Sequence, residues 1–204
     1  MLTFANGPVS AYDLLDSLES CSSLLYLKGG FKSTVNRIKT IVALASNKYN
    51  QQGICVKLKL SAVDVRCKSN DDPYTRMRWH KSGCYGSGLL DDFRNYWDSK
   101  MKHIPRVSAH LFSGRAMDGP LGCASQADLC RRNSYGVEYM SSSSDINTQG
   151  MLLAHEVGHN VGANHLNGGG YIMNSYLGDG RKGWSSNNVY SISSYLNSYG
   201  NCLK

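Results

Sequence analysis

The sequence lacks any stretch of about 18 consecutive apolar residues, so a transmembrane helix is not predicted. Residues 1–8 have neither the basic start nor the long apolar segment of a secretory signal peptide. We therefore expect a mature domain of a longer precursor, whose pro-segment is not part of this chain. N-x-[ST] acceptor sites for N-glycosylation are also absent.

The sequence has fewer acidic than basic residues. The chain has 15 Asp and Glu against 22 Lys and Arg, a formal net charge of +7. Many of the basic residues lie between Lys57 and Lys81. A solvated basic surface explains this pattern, and attraction to acidic substrates, sulfated glycans or anionic cell surfaces is the alternative. Aromatic residues do not alternate with the basic ones as a nucleic-acid stacking surface requires, so no nucleic-acid partner is predicted.

No two cysteines have the C-x-x-C spacing of a metal-binding or redox motif, so a second zinc site is not expected. The chain nevertheless has seven cysteines. This content favours an oxidising compartment and a secreted or extracellular protein, with seven reduced thiols in a cytosolic protein as the alternative. Cys55 and Cys67 flank a predicted strand and its exit and could pair locally. With an odd number, one cysteine is either free or bonded to a segment outside this chain.

Length and periodicity indicate one domain of the α/β class. A chain of 204 residues can bury about 70% of the surface that its unfolded form exposes, which suffices for a core. Because strands and helices alternate in the first half, we expect a mostly parallel sheet backed by helices. The predicted helices are 33–50, 88–103, 147–162 and 187–199, and the predicted strands are 55–65, 108–113, 121–125 and 137–140.

The most specific pattern is H-E-x-x-H-x-x-G-x-x-H, which begins at His155. His155 and His159 are four residues apart, so a helix places both rings on one face, where they can share a zinc ion. Gly162 can take a positive φ and end the helix, which lets His165 return as a third ligand. Three ligands leave one position of a tetrahedral zinc open, as in catalytic sites. Glu156 then stands beside the metal, where a general base for a zinc-bound water is needed.

Three other histidines have no ligand spacing and are interpreted as surface or packing residues: His80, His103 and His110.

The motif resembles that of the metzincin metalloproteases, because Met173 follows His165 at the place of the methionine turn that lies beneath the zinc in that clan. Further segments resemble adamalysin-type (reprolysin, ADAM) catalytic domains. These segments are 33–38, 109–115, 118–137 and 184–202, so the resemblance covers most of residues 30–204.

The resemblance implies a metzincin fold. An upper subdomain, about residues 1–163, would hold a twisted sheet and helices. A small irregular lower subdomain, about residues 164–204, would end in a helix, with the zinc cleft between the two. It implies a secreted, monomeric zinc endopeptidase that is made as a zymogen and cleaves protein or peptide substrates. A disulfide between Cys130 and Cys202 is implied as well. Calcium is not expected, because Val107 stands where the family supplies a carboxylate.

By the same resemblance, substrate would lie extended along a sheet edge formed by Gly122, Cys123 and Ala124. Three further residues could line the S1′ pocket: Tyr171, Tyr176 and Leu177. The hydroxyl of Tyr176 could alternatively bind the oxyanion.

The chain departs from the adamalysin pattern at Leu166, where Asp is usual, and at Tyr171 and Ser175, where Cys and Pro are usual. These changes leave the ligands intact and concern the subfamily and the pocket wall. Two functional hypotheses follow: an active endopeptidase, and an adhesion or binding domain that keeps the fold and metal without turnover. Glu156 favours the first.

Overall fold

The computed structural model describes residues 2–4, 30–50, 53–65, 88–114, 119–140, 143–177 and 183–203. Its helices are α1 (Gly30–Tyr49), α2 (Leu89–Tyr96), α3 (Ile146–Asn160) and α4 (Ser186–Tyr199), with a π-helical turn after α2 (Trp97–Met101) and a 3-10 turn after α4 (Gly200–Leu203). Its strands are β1 (Leu2–Phe4), β2 (Leu60–Val63), β3 (Ser108–Ser113), β4 (Gly122–Ala124) and β5 (Tyr135–Tyr139). The α/β class predicted from the sequence is therefore confirmed. In the described ranges, no helix combines the length and apolar character that a membrane span requires.

The five strands form one mixed sheet in the order β2-β1-β3-β5-β4. β3 and β5 are parallel, whereas β1 runs antiparallel to both β2 and β3, and β4 runs antiparallel to β5. The prediction of a mostly parallel sheet was wrong for these strands. It relied on strand–helix alternation, which gave no sign of the three-residue strand β1, and the short β4 is too brief to show its direction in the sequence.

The strand expected at 55–65 is shorter than predicted. Only Leu60–Val63 forms β2, and Cys55 has a φ of 55°, in the left-handed region that interrupts extended backbone. Cys55 is exposed and free, so the suggested pairing with Cys67, which lies outside the described residues, was wrong. Cys123 is disulfide-bonded.

Helices cover both faces of the sheet. On one face, α1 and α3 share a core that includes Ile41, Tyr49, Leu153 and Val157. On the other, α2 packs against β3 and β5, as expected for side chains that alternate along a strand. That second cluster consists of Leu89, Leu90, Phe93, Trp97, Ala109, Cys123, Tyr135 and Val137.

Helix α3 begins after a capping residue, Asp145. The Asp145 carboxylate accepts hydrogen bonds from the backbone N–H of Asn147 and Thr148 at 3.3 and 2.9 Å. Such a cap satisfies donors that have no partner inside the helix. Ser185 caps α4 in the same way, by accepting from the N–H of Asn188 at 3.1 Å.

The end of the chain is fixed to the segment before β5. Cys130 and Cys202 form a disulfide with a Cα–Cα distance of 5.4 Å, which confirms the pairing implied by the resemblance. Nearby, the Tyr195 hydroxyl of α4 donates to the Leu129 carbonyl at 2.7 Å. Together these contacts attach α4 to the part of the molecule that carries the sheet.

Candidate metal centre

The three predicted histidines come together. His155 Nε2 lies 3.0 Å from His165 Nε2, and His159 Nε2 lies 3.1 Å from the same atom. The ring centroids are 4.7 to 5.0 Å apart. Two nitrogens about 2.1 Å from a tetrahedral zinc are roughly 3.4 Å apart, so the observed separations are close to those of a metal site. Among the described residues, this is the group of three that could hold a metal ion.

Hydrogen bonds at the far side of two rings decide which nitrogen can bind a metal. His155 Nδ1 lies 2.7 Å from the Ile172 carbonyl, and His159 Nδ1 lies 3.0 Å from the Ala163 carbonyl. Since a carbonyl oxygen only accepts, both Nδ1 atoms carry the hydrogen, and the neutral rings have their lone pairs on Nε2. Each of these two Nε2 atoms lies about 3 Å from His165 Nε2, an arrangement that a cation stabilises.

Electrostatics keep these two rings neutral. Burial, reinforced by the neighbouring imidazoles, lowers the pKa of His155 to about 4 and the pKa of His159 to about 3. Imidazole binds metal in its neutral form. His155 and His159 are therefore in the protonation state that metal binding requires.

The segment after α3 brings His165 to the other two histidines. Gly162 has a φ of 86°, which Gly adopts without steric cost, and its N–H donates to the His159 carbonyl at 3.0 Å. The N–H of Leu166 then donates to the Met173 carbonyl at 2.9 Å. His165 thus lies between the helix end and the methionine turn, as the motif predicts.

Met173 is fully buried beneath the zinc-motif helix. A methyl group added to Gly158 would lie only 2.6 Å from Met173 Sδ and 3.2 Å from the Trp184 ring. Gly158 stands between His155 and His159 on α3, so Met173 contacts the helix directly at the level of the metal ligands. The Ile172 carbonyl, in the same turn, accepts the hydrogen bond of His155.

The side chain of Glu156, a residue of α3, lies against the edge strand β4. It is 3% exposed, and within the described part of the chain its Oε2 has no hydrogen-bond partner. A methyl group on Gly122 of β4 would lie 2.2 Å from Glu156 Oε1. Burial raises the pKa of this carboxyl well above its usual value, and the nearby Glu138 raises it further. A carboxyl in such surroundings has the raised basicity that a general base uses.

The residues predicted to contact substrate differ in their backbone structure and in their exposure. Gly122, Cys123 and Ala124 form β4, the last strand in the sheet order, as predicted. The backbone of Tyr171 forms an isolated bridge with Gly183. Leu177 is half-buried, whereas Tyr176 is 84% exposed.

Sequence reasoning missed several residues around the centre. Gln126 accepts from His159 Nδ1 at 3.1 Å through its side-chain oxygen, and nothing in its sequence context indicated this. Glu138 and Asn160 are fully buried. The four-residue spacing of Asn160 from Glu156 could have placed it on the same helix face. His110, interpreted as a surface or packing residue, is buried and lies 2.6 Å from Glu138 Oε1 through Nδ1.

Comparisons with known proteins agree with this geometry. Residues 21–190 match the family model for metallo-peptidase family M12. Among solved structures, metalloproteinase-II from Bacteroides fragilis is similar in fold, with a TM-score of 0.54 at 16% sequence identity. The similarity covers 78% of this chain but 48% of that one, so the chain spans about half the length of this relative. The metzincin-like fold implied by the motif is thereby confirmed.

Proposed function

We propose that this chain, which belongs to metallo-peptidase family M12, is a zinc-dependent endopeptidase of the adamalysin type. The proposed zinc ligands are His155, His159 and His165, and the proposed general base is Glu156. The observation that carries the proposal is the position of His165 Nε2, which lies 3.0 Å from His155 Nε2 and 3.1 Å from His159 Nε2. Beside these histidines Glu156 has a buried carboxyl, one oxygen of which has no hydrogen-bond partner among the residues that the structure describes.

A zinc ion at this position supplies a Lewis acid that polarises a peptide carbonyl and makes water a stronger nucleophile. Residues of the protein itself would transfer the proton, orient the ligands and exclude water. Glu156 accepts the proton of the attacking water and delivers it to the leaving amine. The Ile172 and Ala163 carbonyls keep the lone pairs of His155 and His159 directed inward. Met173 and Trp184 close the pocket from below and exclude water there.

The proposed substrate is an extended polypeptide that pairs with β4. As the terminal strand in the sheet order, β4 can add a further strand by backbone hydrogen bonding. Gly122 lies against Glu156, so a peptide on this strand passes the proposed base. Tyr171, Tyr176 and Leu177 remain our candidates for the S1′ pocket wall.

We further propose that the protein is secreted and monomeric and that its precursor carries an inhibitory pro-segment. The disulfide between Cys130 and Cys202 and the oxidised state of Cys123 support an oxidising compartment.

The proposal is tested by incubating the protein with denatured casein and with a quenched-peptide library. We expect cleavage that a chelator abolishes and that added zinc restores. Glu156→Gln keeps the size of the side chain but cannot accept the proton, so kcat should fall by a factor on the order of 10² to 10⁴ while zinc stays bound. Cleavage that resists the chelator would refute the proposal. Zinc binding without cleavage of any substrate would favour the adhesion or binding domain instead.

A further inference from the structure

A polar layer lies between the sheet and α3, where a fold of this kind normally has apolar contacts. Its members are Ser108 and His110 on β3, Glu138 on β5 and Asn160 on α3, and each has 0% exposure. The alternation of β3 puts Ser108 and His110 on the same face, opposite to the face that packs against α2. Buried polar groups cost free energy unless they are hydrogen-bonded, so their arrangement is informative.

The four side chains form one continuous hydrogen-bonded chain. Glu138 Oε1 lies 2.6 Å from His110 Nδ1, and His110 Nε2 lies 3.0 Å from Ser108 Oγ. Ser108 Oγ donates to Asn160 Oδ1 at 2.9 Å. Asn160 Nδ2 donates in turn to the carbonyls of Ser125 at 2.8 Å and Tyr135 at 3.1 Å.

Counting hydrogens fixes the direction of these bonds. Because its amide nitrogen donates to two carbonyls, Asn160 presents its oxygen to Ser108. The Ser108 hydroxyl has two acceptors within reach, Asn160 Oδ1 at 2.9 Å and the Ser134 carbonyl at 3.2 Å. Because its single hydrogen is used on these acceptors, Ser108 Oγ must accept from His110 Nε2–H. The remaining hydrogen lies between His110 Nδ1 and Glu138 Oε1. The orientations of His110, Ser108 and Asn160 are thus defined, and directional bonds of this kind restrict how α3 sits on the sheet. Among the described residues, the second oxygen of Glu138, Oε2, has no hydrogen-bond partner.

This network of hydrogen-bonded side chains connects the two sides of the proposed site. Asn160 directly follows His159 and is four residues after Glu156, so it shares the sheet-facing side of α3 with the proposed base. Its partner Ser125 directly follows β4. At the other end, Glu138 is the register partner of Gly122, the residue that contacts the Glu156 carboxyl.

Apolar residues of the same volume would hold a helix on a sheet at least as well as a buried charged pair does. They would not specify its position along the strands, because apolar contacts have no direction. A directional chain specifies that position, and a shift of about 1 Å at a reacting group can cost two orders of magnitude in rate.

We propose that His110 and Glu138, acting through Ser108 and Asn160, are positioning residues that fix Glu156 relative to the substrate-binding edge β4. The inference rests on the proposed peptidase function. All four side chains are fully buried and so inaccessible to a substrate, and the proposed ligands His155 and His159 are oriented by backbone carbonyls instead.

The test compares Ser108→Ala, Glu138→Gln and their double variant with the wild type. Ser46→Ala is the matched control, since it also removes one buried hydroxyl, which accepts from the Leu58 N–H at 3.0 Å, on α1, a helix that contributes no residue to the polar layer. Each protein is measured for kcat and KM on a cleaved peptide, for zinc affinity by competition with a chromophoric chelator, and for Tm.

We expect Ser108→Ala and Glu138→Gln to lower kcat by about 10- to 100-fold, with KM and zinc affinity within about threefold of wild type. Since both substitutions break the same chain, the double variant should lose no more than the larger single loss. Ser46→Ala should lower Tm and leave kcat unchanged.

The inference is overturned if kcat is unchanged in the folded variants, if the two losses multiply, or if zinc affinity falls in parallel with kcat. It is overturned too if Ser108→Ala prevents folding, because the layer would then be purely structural. A wild-type protein that binds zinc but cleaves nothing would instead refute the proposed function itself, and the inference with it.

Discussion

Replacing Gly122 by alanine tests the contact between the edge strand and the proposed general base. The new Cβ would lie 2.2 Å from Glu156 Oε1, 2.6 Å from Cδ and 2.9 Å from Cγ. Ordinary van der Waals contact is about 3.5 Å, so the carboxyl must move by roughly 1 Å. Gly122 is not among the glycines with positive φ, and the backbone therefore accepts alanine. The effect would come from the displaced carboxyl alone.

A displacement of this size predicts a loss in kcat of about 100-fold, or roughly 2.7 kcal/mol in activation free energy. Folding stability should change less, because the overpacking cost of about 1 to 3 kcal/mol is partly offset by the lower entropy of an unfolded chain with alanine. Zinc affinity should stay at its wild-type value, since the three atoms nearest to the new Cβ all belong to Glu156, which is not a proposed ligand.

The assay is steady-state hydrolysis of a quenched peptide, with Tm and zinc affinity measured on the same preparations. Gly169→Ala is the matched control, because a Cβ at Gly169 meets nothing within 4 Å and its φ is not positive. A Gly122→Ala protein that keeps wild-type kcat would refute the reasoning, as would one that loses zinc or shows the same change as Gly169→Ala.

Three further predictions concern stability. Cys202→Ser opens a disulfide that links residues 72 apart, which should lower the free energy of unfolding by about 4 kcal/mol and Tm by roughly 10 °C. The control Cys55→Ser should leave Tm unchanged because Cys55 is free, and equal Tm values for the two variants would contradict the prediction. In metal-free protein, the pKa of His155 is lowered from 6.5 to about 4, so the unfolded chain binds more protons than the folded protein between these pH values. The free energy of unfolding should therefore fall by roughly 3 kcal/mol as pH drops from 6.5 to 4, and His159 should add to this loss. A Tm independent of pH in that window would refute the prediction. Zinc at about 100 times its Kd should stabilise the protein by about 2.7 kcal/mol, and a Tm that zinc does not raise would count against the site.

Local spacing made the cluster of three histidines predictable. Because His155 and His159 are four residues apart, a helix places both rings on the same face, and the glycine after the helix lets the backbone turn back towards them. The caps at Asp145 and Ser185 were predictable for the same reason, since they depend on neighbours two or three residues away. Such features require no knowledge of the tertiary structure.

The polar layer was not predictable, because its members come from three elements that are far apart in sequence. His110 and Glu138 are 28 residues apart, and Ser108 and Asn160 are 52 residues apart. Each residue alone looks like an ordinary strand or helix position. The antiparallel pairing of β1 was hidden as well, since three residues carry too little alternation to indicate a strand.

The two attachments of α3 should have separable consequences for function. On one side of the helix, the methionine turn orients His155 through the Ile172 carbonyl and packs Met173 against Gly158. On the opposite side, Asn160 is bonded to Ser108 and to backbone carbonyls near β4. On the proposed function, the first attachment fixes the proposed ligands relative to one another, and the second fixes the proposed base relative to β4.

A substitution in the methionine turn should therefore act first on zinc affinity, and one in the polar layer first on kcat. Met173→Leu should make this visible, since it removes the sulfur contact with Gly158 and leaves the chain from Glu138 to Asn160 intact. We expect weaker zinc binding and, at saturating zinc, a kcat within a few-fold of wild type. If zinc-saturated Met173→Leu lost as much kcat as Ser108→Ala, the helix would move as one rigid body under either change, and the separation of the two roles would be wrong.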